Sequence, residues 1–453
     1  MNVLPWLVAL LPWAASPADA AFRIVAAIGL VSLEMQVVTI AGVGSLGGLV
    51  PVNLLGAAVA AAWQATRRRP GAAWWQQTVH AIPAPALLAA LGVVLALNAV
   101  LPFESADTYH LDRVAQIQRL GTMAYDPAAD PKGNILGSAY ELAVADIGAV
   151  PTIGPLLLRV HGVFGLGLYL LAIAAARARA PRARAAWAWA LLLVIPVPFH
   201  QMVLLKNDLF VTIPAFVGLL WLVLPGDDEP TWTDVLRAAC LVGFSVGCKP
   251  TNLPLALVLS AGVLLRLGLR WRPLAALAAG GIAGGLAGGV FLTLWQNARV
   301  YGDPFARAEV AAMGNVTTDA AHAALSVGRL AIGLVDLGIL TPVLWPGRGG
   351  WGGTFGLPFL WALLVLVLYR HTREARWTAA IMAVVFVAFA ATFPDADIAQ
   401  RLALTPALLA VTVAIALHDR ASGIVAPARL LPPVLLLSAA QVLRSAWLYW
   451  VRT

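Results

Sequence analysis

Residues 79–101, VHAIPAPALLAALGVVLALNAVL, carry no Asp, Glu, Lys or Arg and are followed at once by Pro102-Phe103-Glu104-Ser105-Ala106-Asp107-Thr108-Tyr109-His110. Crossing the hydrocarbon core of a bilayer takes about 20 apolar residues in helical geometry, and the first stretch has that length. Lipid offers the backbone no hydrogen-bond partner, so such a segment satisfies its own amides as a helix. Comparable runs recur at 22–42, 45–65, 156–176, 208–225, 274–298, 354–369, 377–394, 402–417 and 429–450, with shorter ones at 186–203, 233–248 and 251–266. They predict an all-α, polytopic integral membrane protein, 1–453 as one membrane domain, with roughly 11 to 14 spans.

Composition leads to the same class. The chain is 60% hydrophobic and 11% charged, with a mean hydropathy of +0.83, whereas soluble domains are about 25% charged. The formal charge of +8 is spread over short loop clusters rather than one stripe, which argues against nucleic acid as a partner. Clusters at Arg67-Arg68-Arg69, Arg177 to Arg184, Arg266 to Arg272, Arg370 to Arg376 and His418 to Arg420 satisfy the positive-inside rule if all face the cytoplasm. The opposite side then receives the loops at 102–155, about 199–207, about 247–252, 299–353 and 395–401. Residues 325–345 fit as a re-entrant segment or a helix on that outer surface. Residues 2–15 precede Ala18-Asp19-Ala20 but lack a basic n-region, so they read as a retained helix or interfacial segment. Cys240 and Cys248 fall about 12 Å apart along one helix, too far for a disulfide, and read as small core residues.

Polar residues are rare enough here to be informative. Three lysines, Lys132, Lys206 and Lys249, stand among 30 basic residues, and two of them open the strings Lys206-Asn207-Asp208 and Lys249-Pro250-Thr251-Asn252. An ionisable group costs about 2.5–3.5 kcal/mol at the centre of a membrane helix and less near the interface, so polar strings at the ends of apolar runs point to function. Lysines at such ends also serve as snorkelling anchors, a role that arginine fills elsewhere in this chain. After Tyr109-His110, Val114 and Ile117 with polar residues between them predict an amphipathic helix resting on the membrane interface. Glu34 lies within an apolar run near Gln36 and is either functional or a protonated, hydrogen-bonded structural group.

A span followed directly by an acidic residue and Tyr109-His110-Leu111 resembles the first outer loop of the glycosyltransferase C superfamily, polytopic enzymes that take sugar from a polyprenyl-phosphate donor. Lys206-Asn207-Asp208 is similar to a Lys-Asn-Asp string opening a span in bacterial members. Gly247-Cys248-Lys249-Pro250-Thr251 is similar to their Gly-x-Lys-Pro-Thr, and Asn297 through Tyr301-Gly302-Asp303-Pro304-Phe305 to their Gly-Asn/Asp-Pro loop. Gln400-Arg401 ahead of 402–409 resembles their late Arg-x-x-Leu-x-Pro helix. The resemblance covers roughly residues 80–415. One departure matters: the family's catalytic Asp, five residues before the His, is replaced by Ser105, with Glu104 and Asp107 flanking it.

The resemblance implies an inverting transfer of a monosaccharide from a polyprenyl phosphate to a glycan, lipid or protein acceptor, on the periplasmic or exterior face of the inner (plasma) membrane. Such a reaction needs a base for the acceptor proton and cations for the leaving phosphate. The candidate bases are Asp107 and Glu104, which otherwise cap the following helix. Tyr109, His110, Lys206, Asn207, Asp208, Lys249, Thr251, Arg299 and Arg401 are the candidates for holding the donor and its phosphate; His110 reads equally as a buried structural histidine. Asp395, Asp397 and Gln400 can join Asp107 around magnesium or manganese, which some families of this superfamily use. Gly347 to Gly353 lacks the strand and the Gly-Lys-Ser of a phosphate loop; Trp345 and Trp351 beside it read as interfacial anchors, with sugar stacking as the alternative. The rival functions are a lipid-linked saccharide flippase, which calls for charged or broken helices at mid-bilayer depth, and a member of the fold that has lost its base.

Overall fold

The computed structural model describes residues 2–67, 73–100, 108–126, 134–135, 138–149, 156, 161–180, 186–203, 207–224, 230–312, 355–392, 403–418 and 425–452. Among them every regular element is helical. In chain order these are α1 (Val3–Leu10), α2 (Pro17–Ala41), α3 (Val50–Arg67), α4 (Ala73–Val79), α5 (Ala84–Val100), α6 (Thr108–Leu120), α7 (Ala139–Gly148), α8 (His161–Arg179), α9 (Ala190–Leu193) and α10 (Pro196–Val203). There follow α11 (Asp208–Val223), α12 (Trp232–Cys248), α13 (Leu253–Leu267), α14 (Trp271–Gly288), α15 (Val290–Tyr301), α16 (Arg307–Ala312), α17 (Gly356–Leu368), α18 (Arg373–Thr392), α19 (Leu404–His418) and α20 (Val425–Arg452).

Among the described residues three helices, Pro17–Ala41, His161–Arg179 and Pro250–Leu267, are long and apolar enough to cross a membrane, and two bent pairs raise the number to five. The run at 79–101 falls mainly on α5, the second helix of one such pair, which meets α4 at 78°; α14 and α15 meet at 58°, where Gly289 at φ +106° supplies the left-handed residue. Large apolar side chains cover the outside of the bundle, among them Leu269 at 84% exposure, Leu265 at 75% and Leu436 at 73%. In water so much exposed apolar surface would drive association; in a bilayer it is the natural exterior. The chain therefore has the make-up of a helical membrane protein.

Glycines set the tightest packing. A Cβ added at Gly288 of α14 would lie 2.6 Å from the Phe244 carbonyl oxygen and 2.7 Å from the Cys248 nitrogen of α12. Gly284 likewise faces Cys240 and Phe244, and Gly280 faces Leu236 and Cys240. The paired positions rise together, so α12 and α14 run parallel with backbones in direct contact, an approach that only small residues permit. α13 returns between them.

The bundle has two chemically distinct ends. Arg266, at the end of α13, donates to the Trp221 carbonyl at 2.7 Å and to that of Leu222, and its guanidinium stacks on Trp221 and Trp377. That contact gathers the C-terminus of α11 and the start of α18. Arg177, at the end of α8, bonds the His80 carbonyl just past α4. α8 runs parallel to α11, with Gly165 against Leu209, so this is the same arginine-bearing end. Asn207, Lys249 and the first turn of α11 lie at the other end, about 24 Å away along α11.

The expected interfacial helix exists as α6 but uses its apolar stripe differently. Val114 and Ile117 are 4% and 0% exposed because α6 packs on α7, so they meet protein rather than lipid. Glu34 accepts a hydrogen bond from Asn53 Nδ2 at 2.8 Å, and Asn53 Oδ1 accepts from Trp6 Nε1 at 2.6 Å; this network ties α1, α2 and α3 together, which is the structural role.

The glycine interface yields a paired prediction. Gly284→Ala forces backbone apart and should destabilise by about 1–3 kcal/mol. At Gly281, where an added Cβ meets nothing within 4 Å, the change to Ala should be neutral or stabilising by about 0.5–1 kcal/mol. Thermal unfolding in detergent, followed by circular dichroism, separates the two; equal effects would mean that the close contact does not exist in solution.

Candidate functional site

The residue before a proline is pushed out of helical backbone geometry, and Lys249 before Pro250 obeys, with φ −148° and ψ 95° as the C-cap of α12. Its side chain thereby leaves the helix axis and crosses to α11. There Lys249 Nζ forms an ion pair with the Asp208 carboxylate and donates to Asn207 Oδ1 at 3.3 Å. Helix dipoles favour both partners, a cation at the C-terminus of α12 and an acid in the first turn of α11. The pair is largely enclosed, with side-chain exposures of 20% for Lys249 and 6% for Asp208. Behind it Asn252 Nδ2 donates to Ser245 Oγ at 2.8 Å.

A second polar group sits on α7. Ser138 caps the helix, and Glu141 completes a capping box by accepting from the Ser138 amide at 2.7 Å and hydroxyl at 2.8 Å. The other carboxylate oxygen meets His110 Nδ1 of α6 at 2.6 Å, with both side chains 1% exposed. The carboxylate fixes a proton on Nδ1 and so sets the orientation and tautomer of the ring.

Tyr140 links the two groups. Its ring stands edge-on to His110 with centroids 6.0 Å apart and tilts against Phe210 of α11 at 5.2 Å. Burial first, then the charges of Glu141 and Asp208, hold its phenol well above the ordinary range, so it remains a hydroxyl donor.

Beside them Arg113 of α6 is 1% exposed. It donates to Gln116 Oε1 and to the carbonyls of Met123 at 2.6 Å and Ala124 at 3.0 Å, and lies over the Tyr125 ring. Burial lowers its pKa to about 10, so it is charged at neutral pH. Tyr125 in turn bonds Asn297 Oδ1 at 2.9 Å through its hydroxyl and Gln296 Oε1 at 2.6 Å through its amide. That chain of bonds fastens α6 to α15. In the following loop Asp303 accepts from the Arg307 side chain and amide and from the Phe305 amide, which draw its carboxyl down to about 2.

An apolar groove of about 740 Å³ leads to this end of the bundle. It runs between α1, α2, α4, α7, α8, α10 and α11, from Trp74 and Trp75 at the arginine end to Tyr140 and Phe210. Among the described residues no Asp, Glu, Lys or Arg lines it.

The structure thus brings together Asn207, Asp208 and Lys249 from the sequence candidates, and His110 with Glu141. Thr251 follows Lys249 in the same turn, its hydroxyl oxygen buried without a hydrogen-bond partner among the described residues. Arg299 is not brought in: it stacks over Trp295 of its own helix, centroid distance 5.4 Å, on an exposed face. Glu104, Asp107, Lys206 and Arg401 lie outside the described residues, as do Ser105, Lys132, Trp345, Trp351, Asp395, Asp397, Gln400 and the side chain of Tyr109. Among the described residues no three His, Cys, Asp or Glu side chains converge as metal ligands. Sequence reasoning missed Glu141, although Ser138-x-x-Glu141 is a readable capping box; it missed Tyr140, Arg113 and Gln201 for want of any local signal.

Compared with known proteins, the chain matches no family model, no curated protein and no solved structure.

Because Glu141 closes both the α7 cap and the His110 contact, Glu141→Ala should lower stability by about 1–3 kcal/mol, while Glu141→Gln should retain much of it. Thermal unfolding of the two variants tests this; an unchanged Glu141→Ala midpoint would mean that the buried pair is not formed.

Proposed function

We propose that the chain is a helical membrane glycosyltransferase that moves a monosaccharide from a polyprenyl phosphate to an acceptor, in the manner of the glycosyltransferase C superfamily. The observation that carries the reading is the position of Lys249: a lysine held at a helix end beside Asn207 and Asp208, whose chain neighbours Leu209 and Phe210 line an apolar groove that suits a long hydrocarbon chain. In this reading the bundle has 11 to 14 spans in the inner (plasma) membrane, and its Lys249 end faces the periplasm or exterior. The gathering of Arg177, Arg266 and Arg373 at the opposite end supports that orientation through the positive-inside rule.

The reaction then divides among residues by charge. The acceptor oxygen loses its proton to Asp107 or Glu104 and attacks the anomeric carbon; the carbon–oxygen bond to phosphate breaks, and polyprenyl phosphate leaves. One displacement inverts the anomeric centre. Lys249, with Lys206 and Arg401, stabilises the charge growing on the leaving phosphate. For Lys249 to do so, its ammonium is shared between Asp208 and the phosphate, and the carboxylate keeps the cation in place between turnovers. His110, oriented by Glu141, contributes to the walls of the donor site together with Tyr109.

A flippase is the second reading, and the 58° break between α14 and α15 is the observation in its favour, since discontinuous helices mark substrate paths in transporters.

Transfer of radiolabelled sugar from polyprenyl-phosphate donors by the purified protein decides between them. Lys249→Met should lower turnover at least about 100-fold. That variant also removes the cation beside the enclosed Asp208 carboxylate, so Lys249→Met with Asp208→Asn serves as the folded control, and it too should be inactive. Full activity in the double variant would remove Lys249 from the mechanism, and lipid translocation without transfer would establish the flippase.

A further inference from the structure

Among the described residues, the groove contains one carboxamide, and neither of its polar atoms has a hydrogen-bond partner there. Gln201 of α10 is 2% exposed and lines the groove, as Phe210 and Tyr140 do. Neither its Nε2 nor its Oε1 has a hydrogen-bond partner among the described residues. Buried amides are almost always paired, and a groove wall made mostly of Leu, Val, Phe and Trp side chains, with Thr78, Tyr140 and His161, leaves this one unpaired.

The chemistry of the missing partner follows from the amide itself. A carboxamide offers a donor and an acceptor side by side, and both are unused. A phosphate diester only accepts, so it would satisfy Nε2 and leave Oε1 orphaned; an ammonium would do the reverse. Among the described residues no Asp, Glu, Lys or Arg lines the groove to balance an ion, and the one imidazole there, that of His161, is the only ionisable side chain besides Tyr140. A hydroxyl, which donates and accepts, fits both atoms and needs no counter-charge. We propose that Gln201 is a specificity-determining residue that binds a hydroxyl of a lipid-linked ligand lying in this groove. The proposal rests on the preceding reading for the ligand, since two sources of that hydroxyl exist: the sugar of a polyprenyl-phosphate monosaccharide, or the terminal alcohol of a polyprenol.

Equilibrium binding separates them without requiring turnover. The full chain in lipid nanodiscs is titrated with three probes: polyprenyl-phosphate mannose, polyprenyl phosphate without sugar, and polyprenol. Gln201→Leu should raise the dissociation constant for a hydroxyl-bearing probe about tenfold and leave that for polyprenyl phosphate unchanged. Weakening confined to the mannose-bearing lipid identifies the sugar as the source; weakening confined to polyprenol identifies the lipid's own alcohol. Gln201→Asn, which keeps both amide atoms on a shorter stem, should restore part of the loss. Gly167→Trp tests the groove itself: Gly167 lines it and an added Cβ there meets nothing within 4 Å, so the indole should fill the space and abolish binding of all three probes without loss of fold. Equal affinities in wild type and Gln201→Leu for every probe would overturn the proposal, as would uniform weakening of all three. A binding preference that persists in a protein with no transfer activity would sink the glycosyltransferase reading and leave the role of Gln201 standing.

Discussion

Backbone contact between α12 and α14 is the constraint on which the site depends. Gly280, Gly284 and Gly288 bring α14 against the Leu236, Cys240 and Phe244 turns of α12, and helices in lipid gain from such approach through dispersion and Cα–H···O contacts rather than through hydrophobic exclusion. The parallel register ends with Gly288 beside Cys248, and a Cβ added at Gly289 would lie 3.9 Å from the Ala139 amide nitrogen. The last turn of α12 is therefore pinned next to the start of α7. Pro250 then turns Lys249 out of that helix toward Asp208, while α7 holds Glu141 toward His110. Polar residues from α6, α7, α11 and α12, distant in sequence, share one end of the bundle because two glycine faces fit.

The polar layer is built so that its costly groups are paired within the protein. Asp208 has Lys249, Glu141 has His110 and the Ser138 cap, and Arg113 has two carbonyls and the face of Tyr125. A buried charge removed from its partner costs several kcal/mol, so these pairs hold α6, α7, α11 and α12 in fixed relation. The groove is the opposite case, a mostly apolar surface that holds the Gln201 amide, which has no hydrogen-bond partner among the described residues. A rigid charged rim over an apolar channel matches an amphiphile with a charged head and a long tail.

How much of this was legible in the sequence depends on the range of the interaction. Apolar runs of span length announced the helices, because lipid leaves backbone no other choice. Lysine in an arginine-rich chain marked Lys249, and Asn207-Asp208 stood out as polar residues opening an apolar run. The pairing of Lys249 with Asp208 was not visible, since 41 residues separate them and only the fold joins them. Glu141 hid for a similar reason: its local signal is a helix cap, and its His110 contact spans 31 residues. Val114 and Ile117 were read as facing lipid, because periodicity shows that a stripe is apolar without showing what covers it; α7 does. Gln201 sits in an ordinary apolar run and gains meaning only from the groove around it.

The central claim is that a lipid phosphate is held at the Lys249 end with its chain along the groove from Phe210 to Trp74. A cryo-electron microscopy map of the protein in lipid nanodiscs with a non-transferable polyprenyl-phosphonate sugar addresses it most directly. The account predicts phosphonate density within hydrogen-bonding distance of Lys249 Nζ and continuous chain density between α1, α7 and α8. Phosphonate density remote from Lys249, with the groove filled by bulk lipid or empty, would contradict it.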